Sequence, residues 1–358
     1  MSGRSDPTRR AWSWQARLIA FGVAVVLLAL LPLVADPLTN QTLSRILVFS
    51  VAILGLNIVM GYTGQVNLGQ VFFIGLGAYA TALTLDSEFA DFLGPQAIGL
   101  TLTVAFVFAV VLPGAAGLLI ALAAVRLRGL ALALVTIALP IVGVPLIKRF
   151  TPSEGISARF IPKQDAFPYQ DQIQYWIILG VATVVFVLAY FLVRGKFGRA
   201  FAIVRSNEAV ASSMGISPYR YKVLAFTIAS IYGGVAGFLY IVAIQFVSPD
   251  VMGFGHSIEL VIASVVGGAG SIVGALFGGI FYVLVPQLTN AWGLSNYTVL
   301  VQGVVILLVL FVLPGGLASL ARVIRTARRG RKGSHAGPGD AGPASATPPN
   351  HPEREAIQ

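Results

Sequence analysis

The chain has 358 residues, 56% of them hydrophobic and 11% charged, with a formal net charge of +10 and a mean hydropathy of +0.84. Soluble domains are about a quarter charged, so this composition excludes a globular enzyme and points to an all-α, polytopic membrane bundle. The lack of cysteine excludes disulfides, thiol catalysis and cysteine metal sites, and three histidines, two of them in the tail, leave no metal cluster.

The basic residues flank apolar segments, as the positive-inside rule expects, rather than forming a nucleic-acid surface. Residues 1–15, with Arg4, Arg9 and Arg10, read as a cytoplasmic N-terminal segment. The apolar run from Leu18 to Ala35 is longer than a signal-peptide core and no small-x-small cleavage site follows it, so it reads as a retained first helix. Apolar runs place spans near 16–35, 43–60, 66–85, 97–125, 130–147, 173–193, 221–246, 258–285 and 297–317. From a cytoplasmic N-terminus, the acidic stretch 86–91 falls outside and Arg126 and Arg128 fall inside. The loop from Lys148 to Gln172 also falls outside, although it carries Lys148, Arg149, Arg159 and Lys163.

Loop 194–222 contains Arg194, Lys196, Arg199, Arg205, Arg220 and Lys222, and the stretch after 321 contains Arg322, Arg325, Arg328, Arg329, Arg331 and Lys332. Both are cytoplasmic by the same rule, so an even number of passes must separate them. Only three apolar runs do. Parity is restored if Gly267-Gly268-Ala269-Gly270 divides 258–285 into two short helices, giving about 9–10 membrane segments with interrupted, glycine-rich helices. Non-helical backbone at that depth needs protein or a water-filled cavity around it. A phosphate loop there would follow no strand and has no lysine beside it, so packing explains these glycines better. The transmembrane domain is thus expected over 16–320. A basic, then disordered, cytoplasmic tail is expected over 321–358, which is rich in Gly, Pro, Ala and Ser.

Three stretches stand out. The first is GYTGQVNLGQVFFIGLGAY, residues 61–79, which sets Gln65, Asn67 and Gln70 among glycines including Gly61 and Gly64, inside a charge-free run from Ile46 to Leu85. The amides fit two roles equally: satisfying a break in the helix, or lining a path for a polar solute without burying a charge. The stretch is expected near the cytoplasmic side or mid-membrane, in the half of the bundle opposite the 267–278 glycines. Those glycines are the second stretch: Gly270, Gly274 and Gly278 form a small-residue ladder, and Gly233 and Gly237 a small-xxx-small pair.

The third is GRAFAIVRSNEAVASSMGISPYRYKVLAF, residues 198–226. Ser206 or Asn207 is a candidate N-cap, with Glu208 in the first turn. Gly215 would stop that helix and Ser217-Pro218 begin the next. Such a helix fits a docking knob for a soluble partner, or a loop held near anionic lipid. Glu259, beside His256 at a helix start near the outer surface, is the acidic residue nearest the last hydrophobic region.

Glu208-Ala209 followed by Gly215-Ile216 resembles the EAA-type coupling loop of ABC importer permeases. The order G-R-A, R-x-x-E-A (from Arg205), M-G-I, Y-R-Y-K and L-A-F resembles the branched-chain amino acid permease family, of the leucine/isoleucine/valine "M" subunit type. The 61–79 stretch resembles that family's G-Y-x-G-Q-x-S-L-G-x-x-x-F-x-G-x-G-A-Y block, with Asn67 where serine is usual, and 258–279 its late glycine-rich block. In the long outer loop, Thr151 to Pro162 keeps only the outline of the family's G-G-(S/N/D)-G-L-x-G-I-P pattern.

The resemblance implies a non-enzymatic importer subunit in a bacterial cell membrane, with both termini cytoplasmic. Its implied partners are two cytoplasmic ABC ATPases, a second homologous permease and an extracytoplasmic binding protein. No cofactor is implied for this chain, which has no G-x-x-x-x-G-K-[ST] motif, so the partners would bind the ATP. Arg205, Glu208, Ala209, Gly215 and Ile216 would carry the coupling, and Gln65, Asn67 and Gln70 the substrate pathway. Gly61, Gly64, Gly267, Gly268, Gly270 and Gly274 would serve helix breaks and packing. A urea or short-amide permease shares this architecture, and an ion-coupled transporter would also show broken helices and buried amides.

Overall fold

A computed structural model describes residues 22, 25–86, 98–127, 129–152, 154–158, 170–294, 297–312, 316 and 317. The N-terminal segment 1–15, the start of the first expected span, most of the acidic loop, Arg128, residues 159–169 and the tail from 321 lie outside the described residues.

Residues 25–30 are helical and lead through a 3₁₀ turn at Leu31–Leu33 into α1, Pro37–Leu56. The α1 helix continues as π-helix over Asn57–Tyr62, and α2 spans Gln70–Leu85. There follow α3 (Ile98–Ala124), α4 (Leu130–Phe150), α5 (Gln170–Arg194), the short α6 (Lys196–Ser206) and α7 (Glu208–Ser213), and α8 (Pro218–Ile244). The last three are α9 (Phe254–Gly267), α10 (Ile272–Ala291) and α11 (Thr298–Val312). Among the described residues six helices are long and apolar enough to cross a membrane, while α2, α9 and the apolar part of α11 are shorter. The protein is a multi-pass, all-α membrane bundle.

Three boundaries differ from expectation for physical reasons. The α1 helix starts at Pro37 rather than near 43, because proline suits the first helical position after the extended Asp36 and the polar turn Thr39 to Thr42 stays helical. The α2 helix starts at Gln70 rather than 66, because residues 64–69 leave the helix. The 258–285 run starts at Phe254 and is divided at residues 268–271, where Gly268 and Gly270 take positive φ of 114° and 83°. The division that charge parity required is therefore present.

The centre of the bundle is α8, and glycine sets how closely its neighbours come. It lies parallel to α2: a Cβ on Gly77 would sit 2.4 Å from the Gly234 carbonyl, and one on Gly237 2.2 Å from that of Ile74. On its other side runs α3, where Pro113 lacks the N–H that would bond the Ala109 carbonyl. A Cβ on Gly234 would fall 2.0 Å from that carbonyl, so only glycine admits it. Such contact of backbones is how membrane helices associate without a hydrophobic driving force.

A second unit joins α1, α9 and α10. The α9 and α10 helices form an antiparallel hairpin, with Gly267 against Gly274 and Gly278, and Ala263 against Gly278. The α1 helix runs antiparallel to α10: Gln287 donates to Thr42 at 3.2 Å, Gly279 meets Ser50, and Asn57 donates to the Ser271 carbonyl at 3.0 Å. At the end of the bundle away from loop 194–217, β1 (Ile156–Ser157) pairs antiparallel with β2 (Phe246–Val247). A 3₁₀ turn there, Pro249–Met252, drives Met252 into a notch made by Gly75 and Gly143. The divergent stretch that begins at Thr151 is thus tied, through Ile156 and Ser157, to the α8–α9 connection.

Candidate functional site

At the other end of the bundle, the helix break after α1 meets loop 194–217. The π-helical stretch ends at Tyr62, Gly64 takes φ +71°, and the chain runs without regular structure to Gly69. Backbone outside a helix exposes N–H and C=O groups that lipid cannot satisfy. The three predicted amides lie here, 4%, 1% and 2% exposed for Gln65, Asn67 and Gln70, and all reach protein partners.

Gln65 donates through Nε2 to the Thr63 hydroxyl at 2.8 Å and to the Lys222 carbonyl, at the start of α8, at 3.3 Å. Asn67 accepts from the Gly69 N–H at 2.9 Å and donates to Gln70 Oε1 at 3.3 Å. Gln70 donates to the Ala229 carbonyl at 2.9 Å, joining α2 to α8. Thr136 of α4 accepts from the Leu68 N–H at 3.1 Å, a contribution sequence reading missed because a lone threonine in an apolar helix gives no signal. The exception among the amide atoms is Gln65 Oε1, which is buried with no partner among the described residues.

The glycines of this block do not sit opposite the later glycine block, as expected, but against it. A Cβ on Gly61 would lie 2.0 Å from the Gly270 nitrogen and 2.3 Å from its Cα. Ser264 donates to Asn57 at 2.6 Å, and Asn57 in turn donates to the Ser271 carbonyl, so the two breaks share one polar cluster. The physical reason is mutual: each break frees backbone groups, and the other break brings polar partners and lacks the side chains that would keep it away.

Loop 194–217 folds as the cap signals predicted. Asn207 caps α7, its Oδ1 accepting from Ala209 N at 2.9 Å and Val210 N at 3.3 Å. The α7 helix ends at Ser213, Gly215 follows at φ +76°, and α8 begins with Ser217 at the N-cap and Pro218 in its first turn. The α6 helix buries Ala200, Phe201 and Val204 against the bundle, whereas α7 buries only Ala211 and leaves Val210 exposed, as is Met214 at its C-cap. Glu208 makes an ion pair with Lys222 at 2.5 Å, fixing α7 to the start of α8.

One contact joins this loop to the break. The Arg205 guanidinium, on the last turn of α6, donates through Nη1 to the Gly61 carbonyl, and its aliphatic stem lies against Gly64. The predicted loop residues and the predicted break residues therefore form one continuous chain of contacts: α7, Lys222, Gln65 and Arg205, the Gly61–Gly64 break, and Gly270. Ala209 and Ile216 lie within this loop, but no described contact carries either of them to the break.

Residues 38–310 match the profile of a family described as branched-chain amino acid transport system / permease component. The chain is 29% identical over 333 residues to the high-affinity branched-chain amino acid transport system permease protein LivM of Escherichia coli, a match covering 84% of this chain and 75% of that protein. It is 30% identical over 299 residues to LivM of Salmonella typhimurium, covering 75% and 67%. It is also 30% identical over 148 residues to the high-affinity branched-chain amino acid transport system permease protein LivH of Escherichia coli, covering 41% and 47%. No solved structure gives a significant match.

Proposed function

The chain belongs to the family of branched-chain amino acid transport system permease components, and from that membership we propose that it passes branched-chain or related small amino acids across a bacterial cell membrane in an ATP-driven importer. The family match over 38–310 carries this reading. It sets aside an ion-coupled transporter, and a similarity to LivM over most of both chains favours amino acids over urea or short amides. Escherichia coli has two such permease proteins, LivM and LivH, and this chain is similar to both. That implies a second permease subunit.

Two cytoplasmic ATPases bind the ATP and an extracytoplasmic protein delivers the substrate. The chain itself takes no cofactor, and both termini are cytoplasmic. The ATPase docks on α7, where exposed Val210 and the C-cap Met214 offer an apolar knob ringed by basic residues. Docking moves α6 and α7, and Arg205 passes the movement to the Gly61 carbonyl. The α1 break and the α9–α10 hairpin then shift together, as rigid segments about a joint. Glu208 and its ion pair with Lys222 keep α7 in register, while Ala209 and Ile216 shape the docking face. In the joint, Asn67 and Gln70 hold the break, and Gln65, with Oε1 uncommitted, lends the pathway a polar group. Gly64, Gly267, Gly268 and Gly274 permit the close backbone contacts.

The test is reconstitution in proteoliposomes with partner permease, ATPases and binding protein, measuring uptake of labelled leucine. Uptake that requires ATP and the binding protein supports the reading. Uptake driven by an ion gradient with the chain alone would refute it.

A further inference from the structure

On one flank of the bundle, α3 and α5 stand apart over α8 and leave a groove of about 600 Å³. Phe106 and Val110 of α3 form one wall, Ile177, Gly180, Val184 and Leu188 of α5 the other, and α8 the floor. Gly180 keeps the α5 wall open, since a Cβ there would meet nothing within 4 Å.

The groove offers nothing to water. The polar side-chain atoms of its lining are already spent: Tyr232 donates to the Val185 carbonyl at 3.2 Å and Trp176 to the Ala29 carbonyl at 3.1 Å. A water needs about two to four polar partners, and an empty groove forfeits the dispersion contacts of its walls. An acyl chain suits it in shape. Trp176, Gly180, Val184 and Leu188 fall on one stripe of α5. The twelve residues from Trp176 to Leu188 rise about 18 Å, a little more than half of a roughly 30 Å hydrocarbon core.

The two ends of α5 differ in charge. On the side of loop 194–217 the helix closes on Arg194, about 9 Å of helix beyond Leu188, with its guanidinium 4.4 Å over the Tyr190 ring. The α6 helix follows at once with Lys196 and Arg199. All three basic residues are exposed, and among the described residues no carboxylate lies at ion-pair distance from any of them. The opposite end of α5 carries Asp171 in its first turn.

We propose that this groove binds one chain of an anionic phospholipid from the leaflet on the side of loop 194–217. Arg194 takes the phosphate, and Lys196 and Arg199, within five residues of it, add to the attracting field. A phosphatidylcholine offers the same tail but returns a positive charge to the same place, so the basic end discriminates against it. A lipid of the opposite leaflet would bring its phosphate toward Asp171 instead. The site lies outside the amino acid path and stands whatever solute is carried.

The test titrates the full chain in detergent with palmitoyl-oleoyl phosphatidylglycerol, or with the phosphatidylcholine of the same chains, and counts bound lipid by native mass spectrometry. The wild type should hold one phosphatidylglycerol about tenfold or more tighter than phosphatidylcholine. Arg194→Gln should weaken phosphatidylglycerol about fivefold and leave phosphatidylcholine unchanged. Gly180→Leu, which fills the groove, should weaken both lipids about tenfold with their ratio kept, and Val184→Phe, at an exposed position, should do the same. Melting of these variants with the wild type in lipid-free detergent separates lost binding from lost folding. If the wild type holds the two lipids equally, the basic end recognises no headgroup and the site is wrong. If both groove-filling variants keep wild-type phosphatidylglycerol binding, only a surface charge effect remains and the groove is refuted. If the importer assembled with its partner permease sheds the lipid, the groove is a subunit contact and the proposal falls as well.

Discussion

Replacing Gly61 by alanine puts a methyl carbon 2.0 Å from the Gly270 nitrogen and 2.3 Å from its Cα. Non-bonded heavy atoms settle near 3.5 Å, so the two backbones must part by about 1.5 Å. The obstacle is main chain on both sides, and no rotamer change relieves it. Overpacking of this kind costs about 1–3 kcal/mol. Parting the segments also strains the 3.0 Å bond from Asn57 to the Ser271 carbonyl and its 2.6 Å neighbour from Ser264, each worth about 0.6–1.7 kcal/mol between membrane helices. The expected loss is thus about 2–6 kcal/mol. Thermal unfolding of the purified chain in detergent, followed by a tryptophan or dye signal, measures it. Gly180→Ala is the control, since nothing lies within 4 Å of a Cβ there. It should match or exceed wild-type stability, because alanine is the better helix former. If Gly61→Ala melts with the wild type, the two breaks do not touch and the coupling path described above is severed at its middle.

Arg205→Ala should leave membrane insertion and ATP hydrolysis in place while leucine transported per ATP falls about tenfold or more, since a charged donor to the Gly61 carbonyl is lost. Parallel assays of phosphate release and uptake in proteoliposomes check it, and an equal fall in both would place Arg205 in assembly instead. Gln70→Leu removes the donor to the Ala229 carbonyl and the acceptor for Asn67. Leaving two buried groups unpaired should cost about 2–5 kcal/mol in the same melting assay; a cost under about 0.5 kcal/mol would show that water serves them as well.

Local signals in the sequence were the most legible. The N-cap at Asn207, the stop at Gly215 and the restart at Ser217-Pro218 appear where side-chain chemistry put them, because each acts within a turn of its own position. Parity of charged loops demanded a break in 258–285, and glycine composition located it. What the sequence hid was pairing at a distance. Asn57 and Ser271 are separated by 214 positions, and no periodicity reports that they meet. The two glycine blocks were accordingly placed in opposite halves of the bundle, whereas each is the surface the other needs. The amides were legible as polar groups in an apolar run, but their partners Ala229, Lys222 and Thr136 lie on α8 and α4 and follow only from the assembled helices.

The contact between Gly61 and Gly270 also orders events in time. The ribosome delivers α1 and its π-helical sequel long before α9 and α10 exist, so for much of synthesis Asn57 and Gly61 lack the neighbours they pack against in the finished fold. The early portion must wait in the bilayer with strained or hydrated backbone, held open by the insertion machinery or by water. Maturation is then complete only when the last third of the chain arrives and docks. A nascent chain arrested before residue 270 leaves Gly61 and the Asn57 amide without the contacts they make in the complete fold.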